Sequence, residues 1–146
     1  MEKFAIAVKA VIINQRNHVL LIKRRQNDVH KPGVWEIPGG RMSSVDANPF
    51  DELKREVREE VGLEIDILQP LRIHHFTRDD GQKITMLVFL CKATKDKVVV
   101  SEEHTDFVWE SPEKAKETIV PEFRREIEAV EKIYGTQSNF HSKKEA

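Results

Sequence analysis

Runs of apolar and β-branched residues along this chain predict strands, because such side chains suit a pleated, half-buried surface. The predicted strands cover residues 4–13, 18–23, 65–77, 83–94, 98–100 and 106–109. Residues 14–17 and 79–82 are rich in turn formers, so a hairpin is expected at each. Helical segments interrupt this series of strands, and the order predicts a mixed sheet between helices.

A helical spacing of apolar residues begins after Pro49. The apolar positions of this face are Phe50, Leu53, Val57 and Val61. Their intervals of three and four residues place them along one stripe of a helix. Pro49 suits the first turn, Asn48 is the expected cap, and Gly62 is the expected end.

Two more helices are predicted near the carboxyl end. Ser111 followed by Pro112 is typical of a helix start, and residues 121–134 form an amphipathic segment that ends at Gly135. The apolar positions of that segment are Phe123, Ile127, Val130 and Ile133. Residues 136–146 are polar, and we expect them to be a mobile tail after a single domain over residues 1–135.

Three glutamates lie close together on the helix that follows Pro49. Glu56, Glu59 and Glu60 fall within about one quadrant of its surface, because each residue turns by roughly 100°. Clustered carboxylates repel unless a cation lies among them, and hard oxygen ligands select magnesium, manganese or calcium over zinc. The alternative is a solvated face paired with Arg55. The run ending in Pro-Gly-Gly at Gly40 favours the metal site, because it brings bare backbone near the helix.

Residues 35–63 resemble the signature of the Nudix hydrolases. That signature has Gly, five residues, Glu, seven residues, Arg-Glu, an aliphatic, any residue, Glu-Glu, any residue, Gly and an aliphatic. Residues 55–63 match its second half without a gap. The earlier glutamate falls on Ala47 when counted back from Arg55, or on Asp46 when counted forward from Gly40. With a one-residue insertion in the loop, either Asp46 replaces that supporting glutamate or its role is vacant.

The resemblance extends, less specifically, over residues 3–135 and implies a fold and an activity. The implied fold is the Nudix α/β/α sandwich. The implied enzyme is a metal-dependent pyrophosphohydrolase that cleaves a phosphoanhydride of a nucleoside diphosphate linked to another group. Markers of several substrate branches are absent: residues 77–80 lack the ADP-ribose proline, and Tyr134 is the only tyrosine. An ordinary or oxidised nucleoside triphosphate, cut to monophosphate and pyrophosphate, is therefore expected. The alternatives are ADP-ribose, a nucleotide sugar, or a non-catalytic nucleotide sensor.

The metal site implied by these residues uses Mg²⁺, with Mn²⁺ as a substitute. Glu56 and Glu60 are the expected principal ligands, and Glu59 is a further ligand or orients water. The carbonyl of Gly40 completes one coordination shell, because glycine lets the backbone approach closely. Arg55 is better suited to a bidentate contact with a carboxylate than to metal.

A general base is expected from the loop before the last strand. Glu103 is the first candidate and Glu102 the next, with His104 after them. The alternative for all three is a solvated turn. Substrate phosphates are expected to contact Arg24, Arg25 and Arg41, and strand alternation should turn only one of Arg24 and Arg25 toward the site.

Other side chains have predicted roles in packing. Neighbouring His74 and His75 should lie on opposite faces of the sheet and make packing or substrate-edge contacts. Trp35 is expected in the core more than as a base-stacking platform, and Trp109 still more so.

Composition limits the partners of this domain. The 146 residues include 24 basic and 25 acidic ones, for a formal net charge of -1. This balance predicts no extended nucleic-acid surface and no attraction to anionic membrane. The single cysteine, Cys91, excludes an intrachain disulfide and is expected to be a buried filler in a cytoplasmic protein. A homodimer is compatible with the family resemblance, although no unclaimed apolar face predicts one.

Overall fold

The computed structural model of the chain describes residues 4–27, 33–44 and 46–135. In chain order the elements are β1 (Phe4–Ile13), β2 (Val19–Arg24), β3 (Trp35–Glu36), β4 (Gly39–Arg41), α1 (Pro49–Val61), β5 (Ile65–Thr77), β6 (Lys83–Ala93), β7 (His104–Glu110), α2 (Pro112–Thr118), a 3₁₀ turn (Pro121–Phe123), α3 (Arg124–Val130) and a π turn (Glu131–Gly135). The predicted polar tail, residues 136–146, lies outside the described residues.

Strand β1 is the centre of a seven-stranded mixed sheet. It pairs parallel with β6 over ten residue pairs and antiparallel with β2 and β4 on its other side. The order β3-β2-β1-β6-β5 forms the main path, with β4 joined to β1 and β7 joined to β2. Because β4 pairs with Ala7, Val8 and Lys9, the Gly39–Gly40 backbone lies against the middle of the sheet.

Each face of the sheet is covered by helices, because alternate side chains of β1 point to opposite sides. The α1 face buries Val8, Ala10, Ile12, Leu53, Val57 and Val61. The opposite face buries Ala7, Val11, Ile13, Ala115, Phe123, Ile127 and Val130 from β1, α2, α3 and the turn before α3. The predicted α/β/α sandwich with a mixed sheet is confirmed.

The predicted strand at residues 98–100 is wrong, because this segment is irregular. Its backbone bonds to the end of α1 instead: Val99 N–H donates to Val61 O at 3.0 Å, and Ser101 N–H donates to Glu60 O at 2.9 Å. The last carbonyls of a helix have no partner within the helix, so a neighbouring extended segment can satisfy them. Val98 is buried beneath this contact.

Two other predicted elements have different bounds. The last strand is longer than predicted, since β7 begins at His104 rather than at residue 106. The amphipathic segment 121–134 is not one continuous α-helix. Phe123, at φ −109° and ψ 9°, separates the 3₁₀ turn from α3.

Several packing predictions are confirmed. His74 and His75 point to opposite faces: His74 Nε2 lies 2.8 Å from the buried Glu126 carboxylate, and His75 Nδ1 lies 2.9 Å from Thr85 Oγ1. Cys91 is fully buried, and burial raises the pKa of its thiol to about 12.

In the described ranges, no helix is long and apolar enough to cross a membrane.

Candidate active site

Helix α1 carries the glutamate cluster, and its ends form as predicted. Asn48 Oδ1 accepts hydrogen bonds from the N–H groups of Phe50 at 2.9 Å and Asp51 at 3.3 Å. Gly62 ends the helix in the left-handed region at φ 70°, where glycine is favoured. Since Leu53, Val57 and Val61 are buried against the sheet, the rotation of the helix about its axis is determined by packing.

Glu60 is the most buried of the three glutamates, with 9% of its surface exposed. Its Oε2 accepts a hydrogen bond of 3.1 Å from the N–H of Gly39. The pKa of Glu60 is raised to about 8, chiefly by burial and in part by repulsion from Glu56 and Glu36, although Lys9 and the Gly39 amide oppose the rise. A carboxylate in this environment gains strongly from a cation beside it.

Glu56 lies beside the backbone of Gly40. A Cβ placed on Gly40 would lie 3.4 Å from Glu56 Oε2, so the missing side chain leaves room at the carboxylate. The Glu56 side chain is 17% exposed and accepts a hydrogen bond of 3.2 Å from Arg55. Glu56 and Glu60 therefore border one partly buried space next to the glycine pair.

Glu59 lies apart from this pair. Its side chain is 60% exposed and pairs with Arg55 at 2.9 Å. Within the described parts of the chain, no group of three or more His, Cys, Asp or Glu side chains is gathered closely enough to hold a metal ion. Glu56 and Glu60 thus lie near the glycine pair, while Glu59 is exposed at the helix surface and paired with Arg55.

Arg55 contacts three carboxylates, and the sequence did not indicate one of them as a partner. Besides Glu56 and Glu59, its Nη2 pairs with Glu52 at 2.5 Å. Glu52 is nearly buried and also accepts a hydrogen bond of 2.8 Å from Ser43 Oγ. The hydrogen bonds from Arg55 and Ser43 lower the pKa of Glu52. The spacing of Glu52 and Arg55, three residues apart on a helix, was the available sequence signal.

Glu36 is a second buried acid that the sequence did not single out as a site residue. It lies on β3, where Arg24 Nη1 donates to it at 2.9 Å and Lys9 Nζ lies at 3.5 Å. His104 Nε2 is 3.0 Å from the same carboxylate. Burial alone would raise the pKa of Glu36, but His104, Lys9 and Arg24 lower it to about 2. The sequence feature that could have indicated Glu36 as a site residue is its position three residues before the glycine pair.

His104, one candidate for the base, is enclosed by protein. Only 2% of its side chain is exposed, and its Nε2 contacts Glu36. Glu102 and Glu103 of the same loop are exposed. The backbone carbonyl of Glu103 accepts a hydrogen bond of 3.2 Å from the N–H of Arg25, which joins this loop to the end of β2.

The arginines predicted to bind substrate differ in their surroundings. A register shift between Lys23 and Arg24 accompanies the turn of Arg24 toward Glu36, whereas Arg25 follows the strand and is exposed. Arg41 is also exposed, and its guanidinium donates to the side chain of Gln82.

Asp46, one of the two positions where the signature's earlier glutamate would fall, is exposed. Its backbone N–H donates to Ser44 Oγ at 3.1 Å. Ala47, the other position, has no carboxylate. The acid that pairs with Arg55 from the first turns of α1 is Glu52 instead.

Comparison with known proteins shows the family and the fold of this chain. A family model described as the NUDIX domain matches residues 3–130. The nucleoside triphosphatase NudI of Klebsiella pneumoniae is 30% identical over 115 residues, which cover 72% of this chain and 81% of that protein. A MutT-like protein of Streptomyces ambofaciens is 29% identical over 113 residues, covering 77% of this chain and 68% of that protein. The crystal structure of a MutT protein from Methanosarcina mazei superposes with a TM-score of 0.76 at 28% identity, covering 91% and 96% of the two chains.

Proposed function

This chain belongs to the Nudix family and is a pyrophosphohydrolase, and we propose that it hydrolyses an ordinary or oxidised nucleoside triphosphate to a monophosphate and pyrophosphate. The observation that carries the proposal is the buried Glu60, bonded to the Gly39 amide and next to Glu56. A divalent cation between these two acids would favour the ionised form of both, including the form of Glu60 that burial disfavours. The similarity to a relative named as a nucleoside triphosphatase supports the choice of substrate.

The residues present suit a divalent metal. Glu56 and Glu60 offer hard carboxylate oxygens, and the space beside Gly40 lets its carbonyl take part. Glu59, whose exposed side chain is paired with Arg55, would be the further ligand or the water-orienting group. Bound Mg²⁺, or Mn²⁺ in its place, supplies positive charge to the phosphates and acidifies the attacking water.

The chain's own groups account for orientation and proton transfer. The oxygen of water forms the new bond to phosphorus, the bridging P–O bond breaks, and the proton of the water passes to a carboxylate. Glu103 is the proposed base, with Glu102 next, because both are exposed on the loop bonded to Arg25. His104 is better suited to positioning Glu36 than to accepting that proton, since it is enclosed.

Phosphate binding is assigned to the arginines around this space. Arg25 and Arg41 are exposed and can offer several N–H donors to a triphosphate. Arg24 donates a hydrogen bond to Glu36, and in this proposal its positive charge lies behind the phosphate-binding arginines.

The cellular compartment and the assembly of the enzyme are also part of the proposal. The buried thiol of Cys91 suits a reducing compartment, so we assign the protein to the cytoplasm. A homodimer remains the family-based expectation for its assembly.

A substrate panel tests the proposal. Purified protein is incubated with MgCl₂ and ordinary or oxidised triphosphates, ADP-ribose, a nucleotide sugar and dinucleoside polyphosphates, and the products are separated by chromatography. Glu60→Gln serves as the matched inactive control. Release of pyrophosphate from triphosphates by the wild type alone is the expected result.

Two other results would each replace part of the proposal. Preferential cleavage of ADP-ribose or a nucleotide sugar would retain the reaction class and reject the triphosphate. Binding of nucleotide without turnover, at any metal concentration, would favour the sensor.

A further inference from the structure

Among the described residues of the loop before α1, neither position where the signature's earlier glutamate would fall brings a carboxylate to Arg55. Ala47 lacks a carboxylate. Asp46 is exposed, and its backbone N–H donates a hydrogen bond to Ser44 Oγ. Arg55 nevertheless has a nearly buried carboxylate beside it. That carboxylate belongs to the helix itself.

Glu52 joins the loop after β4 to helix α1. One oxygen of its carboxylate accepts from Ser43 Oγ at 2.8 Å, and the other pairs with Arg55 Nη2 at 2.5 Å. The side chain is only 11% exposed, so both contacts are partly protected from water. Charge-assisted hydrogen bonds of this kind orient a guanidinium more firmly than neutral ones do.

The position of Arg55 affects the acids that follow it. The same Nη2 that contacts Glu52 also lies 3.2 Å from Glu56, and Nη1 lies 2.9 Å from Glu59. Without Glu52, the positive charge of Arg55 would be balanced by Glu56 and Glu59 alone. Both are proposed metal ligands, so a guanidinium drawn closer to them would compete with the cation.

We propose that Glu52 is a positioning residue for Arg55 and, through Arg55, for the glutamates that follow it. It orients Arg55, shares its positive charge, and leaves Glu56 available to bind metal. Ser43 fixes Glu52 from the loop side. This inference rests on the proposed metal-dependent hydrolysis and adds to it a residue outside the matched half of the signature.

Three variants test Glu52 directly. Glu52→Gln keeps the size of the side chain and removes its charge. Asp51→Asn makes the same charge change one residue away at an exposed position, and Asp46→Asn tests the competing loop residue. For each, kcat, nucleotide KM and the Mg²⁺ concentration for half-maximal rate are measured, together with Mn²⁺ binding without nucleotide, followed by electron paramagnetic resonance.

We expect Glu52→Gln to lower kcat and weaken Mn²⁺ binding by roughly 10- to 100-fold, the usual cost of losing a residue that supports a metal ligand. The nucleotide KM at saturating metal should change by less than about two-fold, because Glu52 contacts no phosphate in this scheme. Asp51→Asn and Asp46→Asn should retain wild-type metal requirements. The inference is overturned if Glu52→Gln matches wild type, if Asp51→Asn shows the same loss, or if Asp46→Asn alone shows it.

Thermal unfolding of each variant checks that it is folded. If Glu52→Gln does not fold, Ser43→Ala decides the question, because it breaks the other end of the same contact from an exposed loop position. A raised Mg²⁺ requirement in Ser43→Ala would support the role of Glu52, and an unchanged one would overturn it. Failure of the wild type to hydrolyse any nucleotide would reject the proposed reaction, while Mn²⁺ binding would still test Glu52.

Discussion

The backbone N–H of Gly39 donates a hydrogen bond of 3.1 Å to the carboxylate of Glu60, 21 residues later in the chain. This bond joins β4 to α1 and places a buried acid beside the middle of β1. Gly39 has φ 135°, and a Cβ at this position would lie 2.1 Å from Val8 O. Only glycine lets the backbone approach both β1 and Glu60 so closely.

Glu60→Gln should lower kcat by at least about 100-fold, since it removes an oxygen ligand and a negative charge from the proposed metal site. The metal-free variant should be about as stable as wild type at pH 7, because a Glu60 with its pKa raised to about 8 is mostly protonated at that pH and glutamine replaces it with a neutral side chain of similar size. Steady-state kinetics and chemical unfolding in EDTA measure the two effects. Glu64→Gln, at an exposed position just after α1, is the control and should change neither. A large loss of metal-free stability would indicate a structural role for Glu60.

The stability of the metal-free protein should fall as pH rises from about 5 to 8. The pKa of Glu60 is raised to about 8 in the folded chain from an ordinary value of 4.5, so the folded state binds the proton more tightly than the unfolded state. Its contribution is fully present below pH 4.5 and is lost as pH rises through the folded pKa. Thermal unfolding in EDTA at several pH values, compared with Glu60→Gln, measures it. Glu60→Gln should lack this component of the pH dependence. In the wild-type protein, MgCl₂ should restore the stability that is lost at pH 8. Equal pH dependence in the two proteins would contradict the assignment.

Glu36→Gln should destabilise the protein by about 3 kcal/mol at pH 7, because Lys9 and Arg24 would lose their buried counter-charge. The pKa of Glu36 is lowered to about 2, so its contribution is present above the unfolded value of 4.5 and is lost as pH falls toward 2. Urea unfolding at pH 7 and pH 3 measures both. Glu64→Gln breaks an exposed pair with Arg58 and should change stability by less than about 0.5 kcal/mol. A similar small effect for Glu36→Gln would show that the cluster contributes little.

Alanine at the two adjacent glycines should have different effects. Gly39→Ala places a Cβ against the β1 backbone at a strained φ, so it should unfold the protein or lower its melting temperature severely. Gly40→Ala places a Cβ 3.4 Å from Glu56 Oε2, so the protein should fold, while kcat falls roughly 10- to 100-fold because the methyl group takes up space beside a proposed metal ligand. Circular dichroism melting and kinetics distinguish these outcomes. Full activity of Gly40→Ala would exclude metal binding in the space beside it.

Glu103→Gln should lower kcat more than Glu102→Gln, since Glu103 is the proposed proton acceptor. Loss of a general base typically costs about 10²- to 10⁴-fold, and the low-pH limb of the rate profile should disappear with it. The pH dependence of kcat for both variants provides the measurement. Equal and small losses of kcat in the two variants would indicate that this loop is a solvated turn without a catalytic role.

The sequence by itself determined the main elements and the chemistry. Apolar alternation predicted the long strands, and the cap, stripe and terminal glycine predicted α1 almost to the residue, because these signals act within a few neighbours along the chain. The same spacing predicted the face that carries Glu56, Glu59 and Glu60. Residues 98–100 were assigned wrongly because their bonding partners are the last carbonyls of α1, which local propensity cannot indicate.

Only the tertiary structure decided how the three glutamates differ. All three lie on one side of the helix, but packing against the sheet and the Gly39 amide buries Glu60, whereas Glu59 is exposed and paired with Arg55. The partners of Glu36, which are Lys9, Arg24 and His104, come from three separate strands, so no local pattern could assemble them. Burial and electrostatic environment depend on contacts between residues far apart in the chain, and these contacts form only when the sheet and α1 pack together.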